Sequence, residues 1–104
     1  MGKFVLAYRG GAMGETPAEQ QEAMTQWMNW FGSLGKSVLD GGNPFGPGSS
    51  VSSDGSVSDR ASSELTGYSI IEASEMTDAC NKAKGCPVLS SGGTIDVYEA
   101  MPIG

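Results

Sequence analysis

The chain has 104 residues, of which 12 are acidic, six are basic and none is histidine, so its formal net charge is −6. This charge argues against nucleic acid and anionic membranes as partners, because both are negative and no basic cluster reverses the sign locally. The length suits a single domain, residues 1–104, and no apolar run reaches the roughly 20 residues of a membrane span. The apolar stretch at the N-terminus is too short for a signal peptide, so we expect a cytoplasmic protein.

The first predicted element is a strand. The segment KFVLAY, residues 3–8, is apolar and β-prone and stops at a glycine pair, which predicts a central strand with both faces covered. The glycine-rich loop that follows, residues 9–17, leads into a helix N-terminus, the setting in which backbone amides bind phosphate. Its spacing fits no phosphate-binding motif, and Glu15 and Glu19 would repel an anion, so we interpret it as a flexible loop.

A helix begins after this loop. Thr16 is its predicted N-cap, Pro17 occupies the first helical position, and Glu19 closes a capping box. Gly35 is the predicted end. Apolar residues at helical spacing predict the buried stripe, which consists of Met24, Trp27, Met28, Phe31 and Leu34.

Trp30 lies off this stripe, by about 80° on a helical wheel. It could edge the core, line a cleft or contact a partner chain. Because an exposed tryptophan is unfavourable, the sequence favours partial burial at a cleft or an interface.

The middle of the chain is rich in turn-forming residues. The segment KSVLDGG, residues 36–42, predicts a second strand. The serine- and glycine-rich segment 43–63 reads as a long loop or an irregular hairpin, in which Asp54–Gly55 is a hairpin signal.

The C-terminal part predicts two strands that flank a second helix. GYSIIEA, residues 67–73, and TIDVYEAM, residues 94–101, are the strands. Ser74 is the predicted helix cap, and Gly85 with Pro87 just beyond ends the helix. Its predicted buried stripe is Met76, Ala79, Cys80 and Ala83.

The order of elements is strand, helix, strand, strand, helix, strand. This pattern predicts an α+β, ferredoxin-like βαββαβ sandwich, in which an antiparallel sheet carries two helices on one face. Two helices cannot cover the second face, and both sides of the predicted strands are apolar. We therefore expect the protein to form a homodimer through that second face.

The only two cysteines are six positions apart. Cys80 falls on the second helix and Cys86 lies beyond its end, a spacing that fits neither a C-x-x-C redox motif nor a helical disulfide. A zinc site of the usual kind needs about four ligands, commonly Cys or His, which this chain cannot supply. We interpret both as structural thiols, and the sequence predicts neither a metal nor another cofactor.

Without histidine, a Ser-His-Asp triad or a Cys-His pair cannot form, and general base chemistry would fall to a carboxylate, a lysine or a tyrosine. Strand carboxylates are most often solvated or paired with a cation. Strand alternation places Tyr8, Tyr68, Asp96 and Tyr98 together on the sheet face opposite the helices. The full set of candidates for a ligand cleft is Tyr8, Arg9, Trp30, Tyr68, Asp96 and Tyr98.

Three segments carry a resemblance to a known family. They are LDGGNPF, EAMTQWMNWFGSLG and GYSIIEASEMTDACNKAKGCPVLSSGGTIDVYEAMPI. Together they resemble the YCII-related family, in particular its DGPF-type branch. The resemblance implies a ferredoxin-like fold that dimerises sheet against sheet, like the dimeric α/β-barrel proteins, a group that includes small monooxygenases and lyases.

The chain departs from that family at two functional places. The Asp-Gly-Pro-Phe string expected before Gly67 is absent. The family's proposed catalytic pair is a histidine on the first helix and an aspartate after the second. This chain has no histidine, and Gly85-Cys86 stand near the aspartate position, so the pair does not carry over.

These observations favour a homodimeric domain that is not catalytic, or that binds a small molecule in a cleft on the sheet face. An alternative is a cofactor-independent enzyme of the lyase or monooxygenase type, in which Arg9, Tyr68, Asp96 or Tyr98 acts on a small aromatic or carbonyl compound. A third hypothesis is an accessory domain that binds and regulates another protein.

Overall fold

The computed structural model describes residues 1–103, which form an antiparallel four-stranded sheet, a two-stranded hairpin and three α-helices. The sheet consists of β1 (Gly2–Arg9), β2 (Val38–Asp40), β5 (Leu65–Ala73) and β6 (Thr94–Ala100) in the order β2-β5-β1-β6. The hairpin pairs β3 (Ser50–Val51) with β4 (Val57–Ser58). The helices are α1 (Pro17–Leu34), α2 (Met76–Ala83) and α3 (Pro87–Ser90). The predicted α+β class and antiparallel sheet are confirmed.

β1 is a central strand, as the sequence predicts, because it pairs with β5 on one side and with β6 on the other. Phe4, Leu6 and Tyr8 point to the face that the helices cover and are almost fully buried there. The alternate residues point to the opposite face, which we call the open face. Ala7 on the open face is also buried, so the middle of β1 is apolar on both sides.

The N-terminus of α1 follows the predicted capping chemistry. Thr16 Oγ1 accepts a hydrogen bond from the Glu19 amide at 3.1 Å, and Pro17 occupies the first helical position. The Glu19 carboxylate accepts from the Glu15 amide at 3.1 Å, one residue before the position expected in a capping box. At the other end Gly35 has a φ of 56° and donates to the Phe31 carbonyl, and a 3₁₀ turn then leads into β2.

The predicted stripe of α1 is wrong at two positions. Met24 and Met28 are exposed, Met28 by 69 %, whereas Trp30 is only 5 % exposed and is the one buried residue of the helix. The reason lies in the neighbouring helix, where Ala79 and Ala83 are small and leave room for an indole ring. Trp30 Nε1 also donates to the Lys82 carbonyl at 3.0 Å, which fixes the rotation of α1.

The Asp54–Gly55 hairpin is present between β3 and β4. The Ser52 amide donates to the Ser56 carbonyl at 2.8 Å, and Gly55 adopts a φ of 90° that other residues rarely adopt. The Asp54 carboxylate accepts from the Ser56 amide at 2.9 Å, and this hydrogen bond lowers the pKa of Asp54.

The second helix differs from the prediction at its start. α2 begins at Met76 with Glu75 at the N-cap, and Asp78 Oδ2 accepts from the Ser74 amide at 2.9 Å instead of Ser74 capping the helix. This amide, together with Lys82, lowers the pKa of Asp78. On the predicted stripe Ala79 and Ala83 are buried, whereas Met76 is exposed.

The short helix α3 was not predicted. Pro87, which the sequence predicts to lie just beyond the end of the second helix, occupies the first position of α3, where proline is well tolerated. Cys86 is the N-cap residue of this turn. Within residues 1–103, no helix combines the length and apolar character that crossing a membrane would require.

Candidate functional site

A pocket of about 520 Å³ opens between α1 and one end of the sheet. Five segments of the chain supply its walls: the end of β1 with the loop after it, the middle of α1, the loop after β2, the start of β5, and α3 with the residue after it. We call it the α1 pocket. Its lining residues are Tyr8, Gly10, Gly11, Ala12, Met13, Met24, Trp27, Met28, Phe31, Gly41, Gly42, Asn43, Pro44, Thr66, Gly67, Tyr68, Val88 and Ser91.

Tyr8 contributes a buried polar group to the pocket. Its hydroxyl donates to Ser69 Oγ at 2.7 Å, and Ser69 donates in turn to the Gly41 carbonyl at 2.7 Å. Ser69 is fully buried, so this chain satisfies polar groups that have no access to water. Burial raises the pKa of Tyr8 well above its ordinary range, and the hydroxyl keeps its proton at neutral pH. The predicted placement of Tyr8 on the open face is therefore wrong.

Aromatic rings from α1 form one wall of the pocket. The Trp27 ring meets the Tyr8 ring edge-on, with centroids 5.3 Å apart and planes at 74°. Phe31 lies beside Trp27 at 5.8 Å. Trp30 belongs to the same aromatic cluster, 5.8 Å from Trp27 and 5.0 Å from Phe31, but it lies in the core and does not line the pocket.

The rim of the pocket combines methionine with glycine. Met13, Met24 and Met28 are all exposed around it, and their thioethers are flexible enough to adapt to different shapes. On the opposite side Gly42 has a φ of 77°, and a Cβ there would overlap the Tyr68 carbonyl oxygen. Only glycine fits this position, which brings the loop after β2 against β5.

The pocket lacks charge. Among residues 1–103, no Asp, Glu, Lys or Arg lines it, and its ionisable groups are the phenols of Tyr8 and Tyr68. Most of the lining is carbon, from aromatic rings, methionines, proline and valine. Such a mixture of apolar walls and a few polar groups is typical of small-molecule sites.

Both cysteines are free thiols in the structure. Cys86 is buried next to the Tyr8 hydroxyl, and burial raises the pKa of its thiol to about 11. It is therefore neutral at physiological pH and a weak nucleophile. Cys80 is partly exposed on α2. Within residues 1–103 no three His, Cys, Asp or Glu side chains come close enough to hold a metal ion.

The open face brings together three other predicted residues. Arg9 Nη2 and Asp96 Oδ2 form an ion pair of 3.3 Å, in which the side chains are 51 % and 41 % exposed. Tyr98 lies two residues further along the same face of β6 and is 60 % exposed. The pair is well hydrated, so this environment is not the desolvated one that a catalytic carboxylate usually needs.

Tyr68 connects the two regions. It is on an open-face position of β5, its hydroxyl donates to Asp40 Oδ2 at 3.3 Å, and its ring stacks on Phe45 with centroids 5.7 Å apart. It also borders the α1 pocket. The structure thus places Tyr8 and Tyr68 at the pocket, Arg9, Asp96 and Tyr98 on the open face, and Trp30 in the core.

Most of the pocket was missed by sequence reasoning, including Trp27, Phe31 and the glycine loop at residues 41–44. One signal was available. The helical spacing of Met24, Trp27, Met28 and Phe31 marks an apolar surface that is wider than a single sheet contact, and the structure divides this surface between core and pocket.

Comparison with known proteins gives no relative. No protein-family model matches the chain. No curated protein and no solved structure is significantly similar to it.

Proposed function

We propose that the protein is a non-catalytic domain that binds a small organic molecule in the α1 pocket. The observation that carries this proposal is the pocket's composition, about 520 Å³ walled by aromatic rings and thioethers with no charged side chain among residues 1–103. The Tyr8 hydroxyl stays protonated and donates a hydrogen bond to Ser69 Oγ. The pocket can therefore hold an apolar molecule but has no side chain poised as a general base.

The proposal also assigns the chain to the ferredoxin-like, YCII-related group. The sheet order β2-β5-β1-β6, with α1 and α2 packed on one face, supports a ferredoxin-like topology. The family assignment rests on the sequence segments that resemble the YCII-related family. The missing histidine agrees with a binding role more than with the catalytic pair proposed for that family.

The open face supports a homodimer as the working form. Val5 and Ala7 on β1, with Ile70 on β5, give this face an apolar centre without a covering element. Its charges nearly balance, since Lys3 and Arg9 accompany Glu72, Asp96 and Asp40, which lies opposite Ile70. The 12 acidic and six basic residues thus leave nine and four elsewhere, so −5 of the formal charge of −6 lies off this face. Two copies can meet there without strong repulsion.

The enzyme alternative would use Arg9, Tyr68, Asp96 or Tyr98 on the open face. A partner copy that covers this face would desolvate the ion pair and could enclose the surface around it as a cleft. Without such cover the pair is an ordinary hydrated surface contact of small energetic weight. The α1 pocket is therefore the stronger candidate.

A fragment screen by two-dimensional NMR of the ¹⁵N-labelled protein tests the binding function. We expect fragments to shift the amides of residues 10–13, 41–43 and 66–68, which line the pocket. A screen in which no fragment moves these amides would contradict the proposal. Shifts confined to Arg9, Asp96 and Tyr98 would instead favour the enzyme alternative.

A further inference from the structure

Building on the proposed binding function, we propose that the ligand of the α1 pocket is an uncharged aromatic molecule of one to three rings that carries a hydroxyl or N–H donor. Three independent features of the pocket lead to this class: the geometry of the aromatic wall, the absence of charge, and the direction of the hydrogen bonds at its hydroxyls.

The wall favours a flat ring. The Trp27 ring lies 5.3 Å from the Tyr8 ring with planes at 74°, and 5.8 Å from the Phe31 ring with planes at 41°. Aromatic pairs prefer edge-to-face or offset contacts with centroids about 4.5–7 Å apart. A further ring in the pocket can continue this arrangement. The thioethers of Met13, Met24 and Met28 add sulfur–aromatic contacts from the rim.

The lack of charge selects against ions. An anion would find no cationic side chain in the pocket and would approach a protein of charge −6. A cation would find no carboxylate there and would depend on the ring faces alone. Desolvating a charge without a partner is costly, so a neutral ligand should bind more tightly than either kind of ion.

The hydroxyls of the pocket have already donated their hydrogens to the protein. Tyr8 donates to Ser69 Oγ at 2.7 Å, Thr66 to the Gly10 carbonyl at 3.0 Å and Ser91 to the Val88 carbonyl at 3.1 Å. The Tyr8 hydroxyl is buried, so the hydroxyls within reach of a ligand are those of Thr66 and Ser91, which can act only as acceptors. Ser91 Oγ already accepts from the Ala12 amide at 3.1 Å and keeps one acceptor position. Asn43 at the rim can act as donor or acceptor. Because two hydroxyls can only accept and Asn43 can do either, a donor on the ligand has more partners than an acceptor, as in a phenol or an indole.

Four probes that share a 2-substituted naphthalene ring system test this class by isothermal titration calorimetry at pH 7. They are 2-naphthol, 2-methoxynaphthalene, which lacks the donor, 2-naphthoate and 2-naphthylmethylammonium. We expect 2-naphthol to bind about fivefold more tightly than the methoxy compound, as one hydrogen bond allows. It should bind at least about tenfold more tightly than either ion.

Two variants of α1 locate the binding. Met28→Asp places a charge at the rim, and Asn29→Asp adds the same charge next to it on an exposed position that does not line the pocket. We expect Met28→Asp to weaken 2-naphthol binding at least about fivefold, because an apolar contact is replaced by a hydrated carboxylate. Asn29→Asp should leave it unchanged. Equal effects of both variants would show that 2-naphthol binds elsewhere and would overturn the proposal.

The outcomes separate the ligand class from the binding function. Equal or tighter binding of either ion, or of the methoxy compound, would overturn the class and leave the binding function intact. If none of the four probes binds while other fragments occupy the pocket, the ligand class is likewise overturned and the binding function is kept. Failure of the probes together with an empty fragment screen would overturn both proposals.

Discussion

Tyr8 shows how one hydroxyl links the core to the candidate site. Its ring is buried among Trp27 and the sheet, and its hydroxyl begins a hydrogen-bond chain through Ser69 to the Gly41 carbonyl. The chain connects β1, β5 and the loop after β2. It therefore holds the loop at residues 41–44 against the sheet, where that loop forms part of the pocket wall.

Replacing this hydroxyl should weaken the fold. Tyr8→Phe keeps the ring but leaves the fully buried Ser69 oxygen without its donor, so we expect the free energy of unfolding to fall by about 1–3 kcal/mol. Chemical denaturation measures it. Tyr98→Phe is the matched control. The Tyr98 side chain is exposed, so loss of its hydroxyl should change the free energy of unfolding little. Similar effects of the two variants would contradict the importance of the Ser69 hydrogen bond.

Cys86 should make the protein sensitive to alkaline pH. Its thiol ionises near pH 9.0 in an unfolded chain, but burial raises the pKa to about 11 in the fold. The folded state therefore favours the neutral thiol. The corresponding stability is fully present below pH 9.0 and is lost as the pH rises through about 11.

Denaturation curves between pH 8 and 11 measure this effect. We expect Cys86→Ala to flatten the decline in stability above pH 9.0, whereas Cys80→Ala, at the partly exposed thiol, should preserve it. Tyr8 adds a decline of the same sign above pH 10, because burial also raises its pKa. A Cys86→Ala profile as steep as the parent's would show that the thiol is not desolvated.

At the level of elements, α1 separates the residues that hold the fold from those that shape the pocket. Trp30 fills the space beside Ala79, Ala83 and Gly85 and donates to the Lys82 carbonyl. Met28 lies two residues before Trp30, on a different side of the helix, and is exposed. The same helix thus serves the core through Trp30 and the pocket through Met24, Trp27 and Met28.

Substitutions on α1 should therefore have opposite consequences. Trp30→Ala should cost about 3–5 kcal/mol of stability, since it leaves a cavity and an unpaired carbonyl. Met28→Asp should fold like the parent, because the position is 69 % exposed. Circular dichroism during thermal unfolding tests both. A Met28→Asp variant that fails to fold would show that Met28 belongs to the buried stripe after all.

Local signals in the sequence were sufficient to predict most elements. Thr16, Pro17 and Gly35 mark the ends of α1, and Asp54–Gly55 marks the hairpin, because each meets a backbone requirement within a few residues. The rotation of α1 was not predictable in this way. Helical spacing gives a broad apolar arc, and only the neighbouring small residues of α2 decide which part of it is buried.

The candidate site was predictable only in part, for a related reason. Alternation assigned Tyr68, Asp96 and Tyr98 to the open face, where the structure has them, and in β6 the alternation of Asp96 with Ile95 and Val97 distinguishes the two sides. β1 is apolar on both sides, so the same argument could not fix the side of Tyr8. The pocket itself draws residues from five distant segments, and no local pattern brings these together.

On the scale of the whole molecule, the shape is flat. The radius of gyration is 15.1 Å and the extents are 44 × 41 × 18 Å, whereas about 13 Å is usual for a compact domain of this length. One layer of sheet and one layer of helices, with a hairpin beside them, account for this thinness. A second copy on the open face would double the layers and bury Val5 and Ile70.

We predict that sedimentation equilibrium gives about twice the chain mass of 10.7 kDa at micromolar concentration. Ile70→Lys should shift the protein to a monomer, because it places a charge at the apolar centre of the open face. Val57→Lys on the exposed hairpin strand β4 is the control and should leave the mass unchanged. A parent protein that stays monomeric at high concentration would exclude the homodimer.

The sheet register has a consequence for how the chain folds during synthesis. Lys3 at the start of β1 is paired with Glu72 on one side and with Ala100 on the other. β1 is therefore a central strand, and both of its neighbours are synthesised and leave the ribosome much later than β1 itself. Until then the apolar residues of β1 have no partner strand, and such distant pairing is typically slow. Chaperone contact with a nascent chain should consequently be strongest at residues 4–8 and should end once β5 and β6 have emerged.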